Sequence, residues 1–129
     1  DDRAELCTQE EFPDADQLVP VPMQMMPEQI EIGPHTYIVM VTRGSDVDVA
    51  GLPVLLRTQP AYIGLIGSRR RWEATRQALL AQGVSEDNLR RIKCPIGLDI
   101  HAETPDEIAI SILAEIIARK NAPKNQPST

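Results

Sequence analysis

The sequence predicts an α/β fold, a parallel sheet with helices packed on both of its faces. Three observations carry that reading. From residue 35 onward, short apolar runs alternate with longer amphipathic ones; the short runs are too continuously apolar for strands wetted on one side; and the turns that follow them hold glycine and arginine.

The first 34 residues read as an acidic, proline-rich arm ahead of the core. They contain nine acidic residues and one Arg, against ten acidic and twelve basic residues in the remainder, so the net charge of −6 originates here. Five of the eleven prolines (Pro13, Pro20, Pro22, Pro27 and Pro34) make the arm mostly irregular, with one short strand expected over residues 16–21.

The core is expected over residues 35–120. Residues 37–41, Tyr-Ile-Val-Met-Val, are apolar at every position, which suits an interior strand, and they run into Thr42-Arg43-Gly44. Ser45 or Asp46 can cap a helix over residues 47–57 that turns Val49, Leu52, Leu55 and Leu56 to the sheet, although Gly51 and Pro53 weaken its middle. A second strand follows at residues 61–66. Gly64 inside it suggests that another backbone or a ligand passes close by.

A helix over residues 69–82 carries Trp72, Leu79 and Leu80 and stops at Gly83, and Ser85 begins a further short one. Residues 95–99 read as a short final strand and turn. Thr104-Pro105-Asp106-Glu107 then combines a capping box with proline in the first turn, opening a last helix through Lys120. Its apolar face holds Ile108, Ile112, Leu113, Ile116 and Ile117; Glu115 is a helix-face residue or a partner of Arg119 at i+4. Residues 121–129 are nearly devoid of apolar side chains and are expected as a disordered tail.

Composition narrows the function. With 129 residues, 42% hydrophobic and 25% charged, the chain fits one ordinary domain, and four aromatics leave the core to aliphatic side chains. No apolar run approaches the ~20 residues needed to span a bilayer, and no charged-then-apolar leader opens the chain, so a cytoplasmic protein without a membrane partner is expected. Cys7 and Cys94 lack partners at metal or disulfide spacing and read as reduced thiols; His35 and His101 read as turn residues. No metal set is visible. The acidic arm and the lack of aromatics among the arginines argue against nucleic acid.

The strongest functional signal is Tyr62-Ile63-Gly64-Leu65-Ile66-Gly67-Ser68-Arg69-Arg70, a strand running through a glycine turn into a helix. Gly67 permits a left-handed turn and a close approach by a ligand, Ser68 takes the N-cap, and the helix start aims unpaired N–H groups at the turn. Arg69, Arg70 and Arg71 add full charges. Parallel strands would bring three loops to one rim: Thr42-Arg43-Gly44, Gly67-Ser68-Arg69-Arg70 and Gly97-Leu98-Asp99. Arg43, Gly44, Gly67, Ser68, Arg69 and Arg70 would then hold a phosphate-bearing small molecule, with Asp99 accepting from its hydroxyl or ring N–H groups. On local sequence alone, the turn is equally well read as a helix cap with solvated arginines. Ser68 lacks both the G-x-S-x-G elbow and a His base, so it is no nucleophile. Cys94 reads as a small buried residue rather than a persulfide relay, because only Lys93 nearby would lower its pKa.

That nine-residue run, the later Pro95-Ile96-Gly97-Leu98-Asp99-Ile100, and the stretch from Glu103 to Ile116 resemble, in this order, the XdhC/CoxI family. The resemblance covers residues 1–119 and is to the family's carboxyl-terminal Rossmann-like domain. It implies an accessory protein of xanthine dehydrogenase or a related molybdenum hydroxylase, one that binds molybdenum cofactor (molybdopterin), assists its sulfuration and delivers it to the apoenzyme. A cysteine desulfurase is a further implied partner. The implied role is that of a cofactor chaperone rather than a catalyst. The alternatives are an NAD(P)-binding oxidoreductase subunit, weakened by the absence of G-x-G-x-x-G, and an interaction module without ligand.

Two departures from the family pattern have consequences. Ser45 stands where many relatives have His, while Asp48 is kept. The first strand, its glycine-rich turn and the first helix would precede Asp1, so an amino-terminally truncated sheet is expected, with the strand at residues 37–41 left as an open apolar edge. Either the chain is a fragment of a longer protein, or it pairs with another copy, as a homo-oligomer, through that edge or through the face left bare.

Overall fold

The computed structural model describes residues 1–123, within which three strands form one parallel sheet: β1 (Tyr37–Met40), β2 (Tyr62–Leu65) and β3 (Ile92–Lys93), in that spatial order. Helices alternate with them. A 3-10 turn (Met23–Met25) leads into α1 (Met26–Gln29), followed by α2 (Ser45–Leu55), α3 (Arg69–Ala81), α4 (Glu86–Leu89) and α5 (Pro105–Lys120).

The strand register sorts the side chains between two cores. Ile38 pairs with Ile63 and Met40 with Leu65, and this face packs on Leu52 and Leu55 of α2 and Leu79 of α3. Leu52, Leu65 and Leu79 are fully buried, each worth about 2 kcal/mol of removed apolar surface. The other face presents Tyr62 to Ile96 and to Ile112 of α5, with Tyr37 beside it at 6.3 Å between ring centroids. Helices therefore cover both faces, and the fold is Rossmann-like α/β, as the sequence predicts.

Several elements differ from their expected form. The strand expected over residues 16–21 does not form; the arm instead folds its 3-10 turn against α2, with Met23 and Ile32 joining the larger core. That docking explains Gly51, where a Cβ would fall 2.8 Å from Met23 Cγ. Gly44 rather than Ser45 or Asp46 occupies the N-cap of α2, and the helix runs through Pro53 to Leu55.

The third strand lies at Ile92–Lys93, not at residues 95–99. Pro95 has no N–H to continue the ladder, and Gly97, at φ +93°, turns the chain away. Gly64 makes room for side chains rather than for a backbone or ligand, since a Cβ there would lie 2.5 Å from Ile96 Cδ1.

On α5, Thr104 and Glu107 form the capping box in both directions. The sheet-facing positions are Ile108, Ser111, Ile112, Glu115 and Ile116, one stripe at helical spacing. Leu113 and Ile117, expected on that face, lie around the helix at 57% and 56% exposure. Of the expected tail, residues 124–129 lie outside the described residues.

β1 is an outer strand, and a groove of about 610 Å³ runs along it, lined on its far side by the arm. Met40 and Thr36 direct their carbonyl oxygens to Ile66 and Ala61 on the β2 side, so the alternate residues Tyr37 and Val39 turn their backbone groups toward the groove. No described helix is long and apolar enough to cross a membrane.

Candidate functional site

The carboxyl ends of the strands converge on a polar cluster buried beneath the glycine turn. Thr42 follows β1, Asp48 sits one turn into α2, and Arg71 sits in the first turn of α3. Arg71 Nη2 donates to Asp48 Oδ2 at 2.8 Å and to Thr42 Oγ1 at 3.1 Å, and the Thr42 hydroxyl donates to Asp48 Oδ1. Asp48 is fully buried. The Arg71 stem runs under Gly67, where a Cβ would approach its Cδ to 3.1 Å.

Above this base the turn has the form the sequence predicts. Gly67 adopts φ +142°, Ser68 is extended, and Ser68 Oγ accepts from Arg71 N–H at 3.1 Å. The cap takes the Arg71 amide and Ser68 O accepts from Trp72, so the amides of Arg69 and Arg70 have no acceptor inside the helix. Their side chains are exposed, with no ion-pair partner among the described residues. Backbone donors and two cations thus share one open turn. An anion fits there.

The other expected site residues stand differently. Arg43 is held by the Asp2 carboxylate through two bonds of 2.9 and 3.1 Å, and this pairing keeps Asp2 below its usual pKa and lifts that of Arg43. Gly44 opens a helix whose first turn already carries Asp46 and Asp48, which satisfy its positive end without a ligand. Asp99 is exposed, and its partner among the described residues is His101, whose N–H donates to it at 3.3 Å. Only Gly67, Ser68, Arg69 and Arg70 form one contiguous feature.

Two functional-looking residues acquire definite surroundings. Cys94 follows β3 with Sγ 3.9 Å from Gly67 O, and burial pushes its thiol up to about 11 against the favourable charge of Arg71, so it stays protonated at neutral pH. That disfavours a relay role. Glu115 does not pair with Arg119. It accepts from the Tyr62 hydroxyl and from Gly97 N–H at 3.2 Å, and lies 3.0 Å from Lys93 Nζ. Burial opposes its ionisation, but the bonds from Tyr62, Lys93 and Gly97 outweigh it and hold the carboxyl below its ordinary value. Burial and that same bond raise the Tyr62 phenol.

The sequence reading missed the Thr42–Asp48–Arg71 cluster as a unit. A signal was present: a Thr closing one strand, an Asp four residues past the following glycine, and an Arg three past a helix-capping Ser.

Comparison with known proteins agrees with the Rossmann-like fold. The family described as XdhC Rossmann domain matches residues 1–116. An uncharacterised Escherichia coli protein, YqeB, is 38% identical over 94 residues, covering 73% of this chain and 17% of that protein. A Bacillus subtilis protein named as a probable xanthine dehydrogenase component is 36% identical over 115 residues, covering 89% of this chain and 33% of that protein. A crystal structure of a xanthine dehydrogenase from Bacillus halodurans superposes on 97% of this chain and 36% of its own, with a TM-score of 0.76 at 31% identity. The chain thus spans at most about a third of the length of these relatives.

Proposed function

The chain belongs to the XdhC Rossmann-domain family, and from that premise we propose that it is an accessory protein of xanthine dehydrogenase or a related molybdenum hydroxylase, binding molybdenum cofactor for sulfuration and insertion. The observation that carries this reading is the open turn at Gly67 to Arg70, where two unpaired amides and two exposed guanidiniums stand at the carboxyl ends of the strands. Arg69, Arg70 and the helix start would hold the phosphate of the pterin. Arg43 joins them only when Asp2 releases it.

The bound cofactor brings the molybdenum redox chemistry, which belongs to the hydroxylase that receives it. This chain's residues bind and orient. The buried Arg71–Asp48 pair fixes the slope of α3 beneath the turn, so the two amides keep their direction. Sulfur arrives from a cysteine desulfurase rather than from Cys94, whose thiol is held protonated. A cytoplasmic homo-oligomer completes the reading.

A titration of the chain with isolated molybdenum cofactor and, separately, with NAD(P)H tests it. Saturable binding of the cofactor alone is expected. Binding of NAD(P)H alone would replace this reading with that of a nucleotide-binding oxidoreductase component, and binding of neither with that of an interaction module.

A further inference from the structure

At the opposite ends of the strands lies a second pocket, of about 320 Å³, between the starts of β2 and β3 and the end of α5. Its walls carry Arg90, Arg91, Lys93 and Arg119, on a chain whose overall charge is −6. From this arrangement we propose that the pocket is a binding site for a small phosphomonoester, independent of the turn at Gly67.

The charges decide it. Lys93 is committed to Glu115 and to the carbonyl oxygens of Pro95 and Gly97. Arg90 reaches Asp87 at 2.8 Å, but the two side chains are 73% and 90% exposed, so water and salt weaken that pair. Arg91 is held by neutral acceptors only: the carbonyl oxygens of Leu56 and Thr58 at 2.8 Å each and Asn88 Oδ1 at 3.2 Å. Its charge is retained and its plane is fixed. Arg119 lies over the Tyr62 ring, Cζ 5.4 Å from the centroid, with no carboxylate partner among the described residues.

Four cations therefore face two carboxylates, and the two guanidiniums without a carboxylate are those already oriented by other contacts. Guanidinium planes suit the oxygens of a phosphate better than ammonium groups do. Tyr62 and Ile63, both buried, line the pocket, and a lining shielded from solvent strengthens the attraction relative to open water. A bare phosphate would leave much of the space empty; the volume falls at the lower end of small-molecule sites, which suits a phosphate carrying a small organic group.

Inorganic phosphate, titrated into the full chain at fixed ionic strength and followed by ¹H–¹⁵N NMR, is the test. Saturable shifts are expected at the amides of Ala61, Ile63, Arg91 and Ile92, and in Arg119→Gln the affinity read there should fall about tenfold. Should Arg119→Gln fail to fold, Arg90→Gln is expected to weaken binding in the same direction. The proposal is overturned by an absence of saturable shifts at those amides, by shifts confined to residues 67–71, by shifts indifferent to the folded variant, or by phosphate-induced self-association as the sole response.

Discussion

Arg71 and Asp48 form an ion pair 2.8 Å long that joins α3 to α2 directly beneath the glycine turn, with Asp48 wholly out of contact with water. Thr42 closes the same network from the end of β1. Because each member leaves the others unsatisfied when removed, the cluster should behave as a unit. Asp48→Ala is expected to cost about 3 kcal/mol in urea unfolding, since it strands a guanidinium that is mostly buried. Arg71→Lys should recover only part of the loss suffered by Arg71→Ala, because a single nitrogen, Nη2, meets both Thr42 and Asp48, and the shorter lysine stem has no rigid guanidinium plane to set its ammonium at that point. Equal stability of Asp48→Ala and the parent would contradict this.

Glu115 gives the fold a pH dependence of definite sign. Its pKa in the folded chain lies below the ordinary value of 4.5, so its contribution is complete above that value and is lost as pH falls through the depressed one. Glu115→Gln should therefore be less stable than the parent by about 2 kcal/mol near neutrality. The gap should narrow as pH drops below about 4.5. Unfolding curves of both proteins across that range check it; a gap that widens with acid would refute it.

Cys94 should be slow to react. With its thiol raised from 9.0 to about 11, its thiolate fraction at mildly alkaline pH is roughly a hundredfold below that of an unperturbed cysteine. Iodoacetamide labelling followed by peptide mass analysis should show Cys94 alkylated correspondingly late. Alkylation at the rate of a free thiol would reopen a role for it in sulfur transfer.

Gly97 is held by both its backbone and its neighbours. At φ +93°, a Cβ would fall 2.5 Å from Ser111 Oγ and 3.2 Å from the Ser111 carbonyl carbon. Gly97→Ala should cost more than about 1 kcal/mol. Gly33→Ala, where nothing lies within 4 Å, should not destabilise the chain by a comparable amount. Thermal denaturation of the two variants separates the cases.

What is legible in the sequence follows from local physics. Continuous apolar runs mark β1 and β2, Ser68 and Thr104 announce their helices, and Gly67 with the arginines behind it marks the turn. What is not legible depends on distant contacts. Met23 packing on Gly51, Tyr62 reaching Glu115 across 53 residues, and Asp2 closing on Arg43 across 41 have no signature in either segment alone. The side of α5 that faces the sheet differs from expectation at Leu113 and Ile117 for a related reason. The helix carries apolar residues around most of its circumference, so periodicity cannot choose between faces, and the buried bond of Glu115 does.

The central claim is that the exposed guanidiniums at the start of α3 hold the phosphate of the cofactor. Its most direct test compares the affinity for isolated molybdenum cofactor of the parent chain with that of the Arg69→Ala, Arg70→Ala double variant, whose two side chains support no part of the core. A loss of at least about tenfold is predicted, from the removal of charge-assisted contacts. An affinity unchanged in a variant that remains folded would contradict the account.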